Sequence, residues 1–356
     1  MIANIVVCLY VMAANAFLRQ AGAARGFEPP SLEITVAFWV AGILAYLIAH
    51  EAGHRIAGAA LGWRCVRFGF GPVEFFREGV SWRTQRVKTL WGAFVRQMPP
   101  SFAHYRQEKA VTILGGPMSS LVFGLVFAAI ALTSANPVVF ALFGKLGLCA
   151  LVGVLELIPR KHGRIGSDGY RLRQVFRGGQ VMDELLRDTV GEASNFTALR
   201  HRDWPHAPIV RLAAGDDPYN IYLAYLHTLD SGNLEAASEY MRRLIARLPE
   251  KPDSHFAIEA AYWLATYGGN TELARKWIER AGPDVERTMR LRAEAAVALA
   301  DGQPDRAESL AKEALAQFRT PAACGSEEYD LDRLNYVLQG VAASGAAFAD
   351  MATTRR

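Results

Sequence analysis

The sequence predicts a mainly α-helical chain in two parts: a polytopic helical membrane domain with a small β element, then a soluble α-helical repeat domain. Three observations predict this. Long apolar stretches are confined to residues 1–160 of 356, the chain from about 165 onward is charged and Ala-rich, and three stretches of that second half resemble one another. A net charge of +4 is too small to point to a nucleic-acid partner. Cys8, Cys65, Cys149 and Cys324 lie far apart without a Cys-x-x-Cys pair. Free thiols are expected, and neither a disulfide framework nor a cysteine zinc site.

Four stretches approach the roughly 20 apolar residues that a bilayer crossing needs. The first runs from Ile2 to Leu18; no Lys or Arg precedes Arg19, so an uncleaved span is expected rather than a signal peptide. The second is Ile34 to Leu61 and the third Val111 to Thr133. The fourth, Pro137 to Ile158, follows after only Ser134-Ala135-Asn136, so the last two form a hairpin. Lys and Arg crowd the segment 55–110 (Arg55, Arg64, Arg67, Arg77, Arg83, Arg86, Lys88, Arg96, Arg106, Lys109) and follow the fourth span as Arg160, Lys161, Arg164, Arg171 and Arg173. The positive-inside rule places both regions, and with four spans the N-terminus, in the cytoplasm. Within 55–110, Val66 to Phe76 and Val80 to Val87 alternate apolar and polar residues around Gly and Pro, the pattern of short strands. Phe75, Phe76, Trp82 and Trp91 among arginines suit either a membrane interface or ordinary packing of a small sheet.

In the second half, segments around Gly232, Gly269 and Gly302 share one plan: an apolar helix, a Gly turn, an acidic residue (Glu235, Glu272, Asp305), and a second helix bearing small Ala residues. Their spacing resembles the tetratricopeptide repeat, whose period is about 34 residues. Such arrays bury each apolar face on a neighbour and bind a peptide or protein partner on a concave face. The expected organisation is a membrane domain over 1–175, a linker over 176–215 whose His201 and His206 are loop residues, repeats over 216–340, and a tail over 341–356.

The chemistry centres on His50-Glu51-Ala52-Gly53-His54. Histidines four apart lie one turn apart on one helix face, so both imidazoles can reach one metal ion, with the Glu suited to act on water rather than to ligate. The pattern is expected by chance on the order of 0.01 times in such a chain. It also interrupts an apolar run, and ionisable groups at membrane depth point to function. A third zinc ligand is required, and Glu156, at the end of the last apolar run, and Asp168, after it, are the carboxylates available. Apart from Glu156 near the end of the fourth stretch, Lys145 is the one further fully charged residue in the spans, which ranks a transporter or channel last.

With Leu155-Glu156-Leu157-Ile158-Pro159 followed by Ser167-Asp168-Gly169, and with Gly115-Gly116-Pro117-Met118-Ser119-Ser120 before them, the chain resembles the site-2 protease family of intramembrane zinc metalloproteases over about residues 34–175. The resemblance implies that His50, His54 and Asp168 bind Zn2+ and that Glu51 is the catalytic base. It implies a membrane-protein substrate cleaved within its transmembrane segment, in the inner or plasma membrane of a bacterium, with lipid around the spans. The family's two Asn positions are Ser120 and Glu156 here, and nine residues separate Pro159 from Asp168. Those departures support an alternative, a catalytically inactive membrane-anchored scaffold with a vestigial or structural metal site.

Overall fold

The computed structural model describes residues 2–78, 81–87, 92–162, 165–318 and 322–353; Val80, Lys88, Trp91 and Arg164, invoked above, lie outside them. The chain divides into two compact units, Met1–Leu185 and Leu186–Arg356.

The first unit opens with α1 (Ile2–Ala23) and α2 (Leu32–Ala60), the latter begun by the Ser31 hydroxyl, which accepts from the Ile34 amide. A four-stranded antiparallel sheet follows, β1 (Arg64–Phe70), β2 (Val73–Glu78), β3 (Ser81–Arg86) and β4 (Ala93–Met98), in the order β3-β2-β1-β4. The alternation over 66–87 is the signal for its first three strands. The fourth, Ala93-Phe94-Val95-Arg96-Gln97-Met98, does not alternate cleanly, and pairing with β1 brings it in. It packs on α2, where Gln97 Nε2 donates to the His54 carbonyl at 2.8 Å.

Next come α3 (Tyr105–Thr133) and α4 (Pro137–Val152), which runs into a 3-10 turn at Gly153–Leu157. Between them Asn136 caps α4, its Oδ1 accepting from the Val138 and Val139 amides. The third apolar helix starts at Tyr105, two turns before the apolar run expected from Val111, because Arg106 to Lys109 continue the helix in polar form. Among the described residues, three helical segments, Leu32–Ala60, Tyr105–Thr133 and Pro137–Leu157, are long and apolar enough to cross a membrane. Ile43, Ile48, Ile56, Val122, Leu125 and Val138 on them are all at least half exposed, a surface that water would not tolerate and lipid would. A short ribbon of β5 (Lys161–His162) and β6 (Ile165–Gly166) leads to α5 (Asp168–Arg177), and α6 (Gly179–Phe196) carries the chain into the second unit.

There, residues expected to form a linker fold as the end of α6, a 3-10 turn at His201–Asp203, and α7 (His206–Ala213). His201 and His206 are therefore not loop residues. His201 is buried between the rings of Trp204 and Tyr329, and His206 Nδ1 lies 3.1 Å from His227 Nε2. Three helical hairpins follow: α8 (Pro218–Asp230) with α9 (Leu234–Ile245), α10 (Ser254–Thr266) with α11 (Thr271–Ala281), and α12 (Arg287–Ala300) with α13 (Pro304–Leu315). Each turns at a glycine with positive φ (Gly232, Gly269 and Gly302 at 78°, 62° and 73°), a conformation that other residues rarely adopt. Ala237, Ala274 and Ala307 are buried near the start of each second helix. Of the stretch expected as a tail, residues 341–353 continue α14 (Gly325–Thr353), and the rest lies outside the described residues.

A buried ion cluster ties α14 to the hairpins. Glu259 of α10 accepts two hydrogen bonds from Arg333 of α14, at 2.9 and 2.8 Å, and pairs with Arg292 of α12, which also reaches Asp330. The two guanidinium groups outweigh burial and hold the Glu259 carboxyl down at about 2. Cys65, Cys149 and Cys324 are free thiols; the side chain of Cys8 lies outside the described residues.

Candidate metal centre

α2 presents His50 and His54 toward α3. The helices approach closely because both are glycine at the crossing: a methyl group on Gly53 would overlap Gly115, and one on Gly115 would overlap Gly53. Gly116 is constrained differently. A methyl group there would lie 2.6 Å from His54 Cε1 and 2.8 Å from His50 Nε2, and closer still to His54 Nε2. The Gly-Gly-Pro segment thus makes room for the imidazoles.

Each imidazole is oriented through its far nitrogen. His54 Nδ1 donates to the Thr112 carbonyl at 2.7 Å. A carbonyl only accepts, so this bond leaves the neutral ring's Nε2 as a bare lone pair. His50 Nδ1 lies 3.0 Å from the Ser120 hydroxyl, a fully buried group in one of the family's Asn positions. Ser120 therefore serves the imidazole, an orienting contact of the kind that metal-bound histidines make.

Asp168 comes from the other side. Its carboxylate is the first residue of α5, capped by Ser167, whose hydroxyl accepts from the Tyr170 and Arg160 amides and donates to the Ile158 carbonyl. With the Ser167 amide donating to the Arg160 carbonyl, the β5–β6 ribbon closes at its base. The long Pro159-to-Asp168 spacing is looped out as a hairpin, and Asp168 returns beside the end of the last apolar segment. Gly169 seats this return, since a methyl group there would overlap the Leu157 carbonyl.

The result is a small triangle. Asp168 Oδ2 is 3.0 Å from His50 Nε2 and 3.3 Å from His54 Nε2, and the two nitrogens are 3.3 Å apart. A tetrahedral ion with bonds of about 2.0–2.1 Å has ligand atoms about 3.3–3.4 Å apart, so the triangle fits one edge-sharing face of such a site. Donor atoms of His50, Glu51 and His54 also fall within 4.8 Å of one another, which keeps the Glu51 carboxylate at the same centre.

Glu156, the other carboxylate considered, is not at the triangle: its Oε1 takes a bond from Arg160 at 2.6 Å. Sequence reasoning also passed over the Thr112 carbonyl, Ser167 and Gln97. A backbone carbonyl leaves no mark in sequence, whereas Ser167 directly before a helix-starting Asp was a readable cap.

The family model for peptidase family M50 matches residues 38–329, which include this centre and most of the second unit. The chain belongs to peptidase family M50. Comparison with curated proteins and with solved structures returned no match. The M50 family, which takes in the site-2 proteases, consists of metalloproteases. With its three long apolar helices, this M50 chain is a membrane protein with a group of residues able to hold a metal ion.

Proposed function

We propose that this M50 chain is a zinc-dependent intramembrane endopeptidase that cleaves a transmembrane segment of a membrane protein. The observation that carries the reading is the 3.0–3.3 Å triangle of His50 Nε2, His54 Nε2 and Asp168 Oδ2 beside Glu51. These three residues would hold Zn2+, which supplies Lewis acidity at a carbonyl oxygen and makes water acidic enough to ionise near neutral pH. The chain's own part is to orient both rings, His54 through the Thr112 carbonyl, which leaves its Nε2 unprotonated, and His50 through the Ser120 hydroxyl. Glu51 takes the proton of the attacking water on its carboxylate and returns it to the leaving nitrogen. The substrate helix must open locally first, since its carbonyls are otherwise held in internal hydrogen bonds.

The sheet supports a place for the opened strand. β1 and β2 are paired on both sides, so an edge within 66–87 is available only on β3, and the edge beside α2 belongs to β4, next to Gln97 and His54. An extended substrate would pair along the free edge of β4. α1 is read as a fourth span, and the charge distribution puts the second unit in the cytoplasm. There, the three hairpins act as a tetratricopeptide-like array for a partner or substrate.

The inactive-scaffold reading rests on the replacement of both family Asn residues. Ser120 keeps an orienting bond to His50, whereas Glu156 is engaged with Arg160, so the loss at that position is real. Reconstitution of wild-type and Glu51→Gln protein in vesicles with a membrane-protein substrate separates the readings. Cleavage should fall at least a thousandfold in Glu51→Gln while zinc content stays at wild-type level; equal cleavage by both proteins refutes the enzyme mechanism.

A further inference from the structure

On the side of α3 away from α2, the first unit carries an open apolar groove of ≈ 520 Å³, lined by Leu114, Leu157, Pro159, Leu172 and Phe176 and edged by Arg173 and Arg177. The groove has a direction. Leu114 lies nine residues into α3, about 13 Å along its axis, beside Leu157 at the end of the last apolar segment. Arg106, in the first turn of α3, donates from Nε to the Val175 carbonyl at 2.9 Å and from Nη2 to the Phe176 carbonyl at 2.8 Å. α5 therefore runs back along α3 toward its polar end, with apolar residues at the deep end and Arg173 and Arg177 at the shallow end.

Charge points the same way. Arg173 and Arg177 are exposed, and neither has a carboxylate partner among the described residues. The nearby acids are already engaged, Asp168 with two imidazoles and Glu156 with Arg160. Arg106 adds a third cation at the shallow end. Phe176 is 66% exposed on a strongly amphipathic helix, as expected of a helix that lies in a membrane interface with its apolar face in the acyl region.

We propose that this groove binds one anionic phospholipid, an acyl chain along Leu114, Leu157 and Leu172 and the headgroup phosphate on Arg173 and Arg177. A zwitterionic lipid would fill the apolar part equally, but it carries no net charge for the two arginines. The site depends on the membrane placement of the apolar helices and not on the zinc chemistry.

The test is native mass spectrometry of the full chain in detergent, titrated with phosphatidylglycerol or phosphatidylcholine of identical acyl chains, with zinc content measured on the same samples. Wild type should hold one phosphatidylglycerol about thirtyfold more tightly than Arg173→Ala/Arg177→Ala, a factor of about five for each cation near a membrane surface. Arg173→Lys/Arg177→Lys should retain most of the affinity. Leu172→Trp, which fills the groove and keeps the charges, should lose it, and the remote pair Arg83→Ala/Arg86→Ala should not. Equal binding of the two lipids overturns the proposal, as does undiminished phosphatidylglycerol on the double alanine variant. Displacement of the lipid by millimolar inorganic phosphate, or by a peptide from the substrate, would assign the groove to that ligand instead. Because zinc is read on each sample, failure of this site with zinc intact is distinguishable from failure of the metal reading.

Discussion

Replacing Gly116 with alanine tests how the site is built. The added methyl group would lie 2.6 Å from His54 Cε1 and 2.8 Å from His50 Nε2, where ordinary contact begins at 3.4 Å. Relieving those overlaps requires shifts of about 0.6–0.8 Å, three to four times the ±0.2 Å within which metal–ligand distances hold. The rings cannot rotate away freely, since His54 Nδ1 is held by the Thr112 carbonyl at 2.7 Å and His50 Nδ1 by Ser120 at 3.0 Å. Losing even an orienting contact costs 10–100-fold in metal affinity, so we expect about a hundredfold weaker zinc binding, roughly 2.7 kcal/mol. Competition against a chromophoric chelator measures it on the purified full chain, with circular dichroism and thermal melting as the check on folding. Gly53→Ala is the contrast: its methyl group would overlap the Gly115 backbone, so it should lower the melting temperature as well as zinc affinity. Wild-type zinc affinity in Gly116→Ala would refute the claim that this glycine clears space for the imidazoles.

Two predictions concern the second unit. Arg333→Ala removes a bidentate partner of the fully buried Glu259, and breaking a buried pair from one side should destabilise this unit by about 3–5 kcal/mol, read as hydrogen-exchange protection across α10 and α12. Unchanged protection would mean that the cluster does not hold α14 in place. His201 is held neutral by burial, its pKa lowered to about 4, with Asp230 and Glu259 opposing and Arg333 and Arg200 assisting. The unfolded chain binds the extra proton first, so this contribution is complete above the ordinary histidine value of about 6.5. It falls away as pH drops toward 4, by up to about 3 kcal/mol. Wild-type stability should therefore decline over that window and His201→Phe should decline less; parallel curves would contradict it.

The legible parts of this chain are those that leave periodic or chemically rare marks. His-Glu-x-x-His marks the site because two imidazoles one helical turn apart need both that spacing and an apolar helix. The three Gly turns mark the hairpins because a positive φ leaves few other residues. Asp168 was harder: residues alone left it level with Glu156, and what separates them is a hairpin closed by Ser167 bonds to Ile158 and Arg160, which no local pattern announces. β4 was missed because its partner β1, not its own alternation, makes it a strand. The segment 179–213 read as a linker holding only a short amphipathic run through Val190, yet it forms helices that bury Met182, Leu186, Val190 and Ile209. Ser120 read as a loss of the family Asn, yet its hydroxyl still reaches His50, a geometric fact that residue type alone cannot supply.

Zinc K-edge absorption on purified protein tests the central claim most directly, that His50, His54 and Asp168 form the metal centre. Wild type should show one zinc per chain with two imidazole nitrogens and oxygen donors at about 2.0–2.2 Å. That shell should survive Glu156→Gln and be lost or reduced in Asp168→Ala. A shell unchanged in Asp168→Ala and lost in Glu156→Gln would contradict the account.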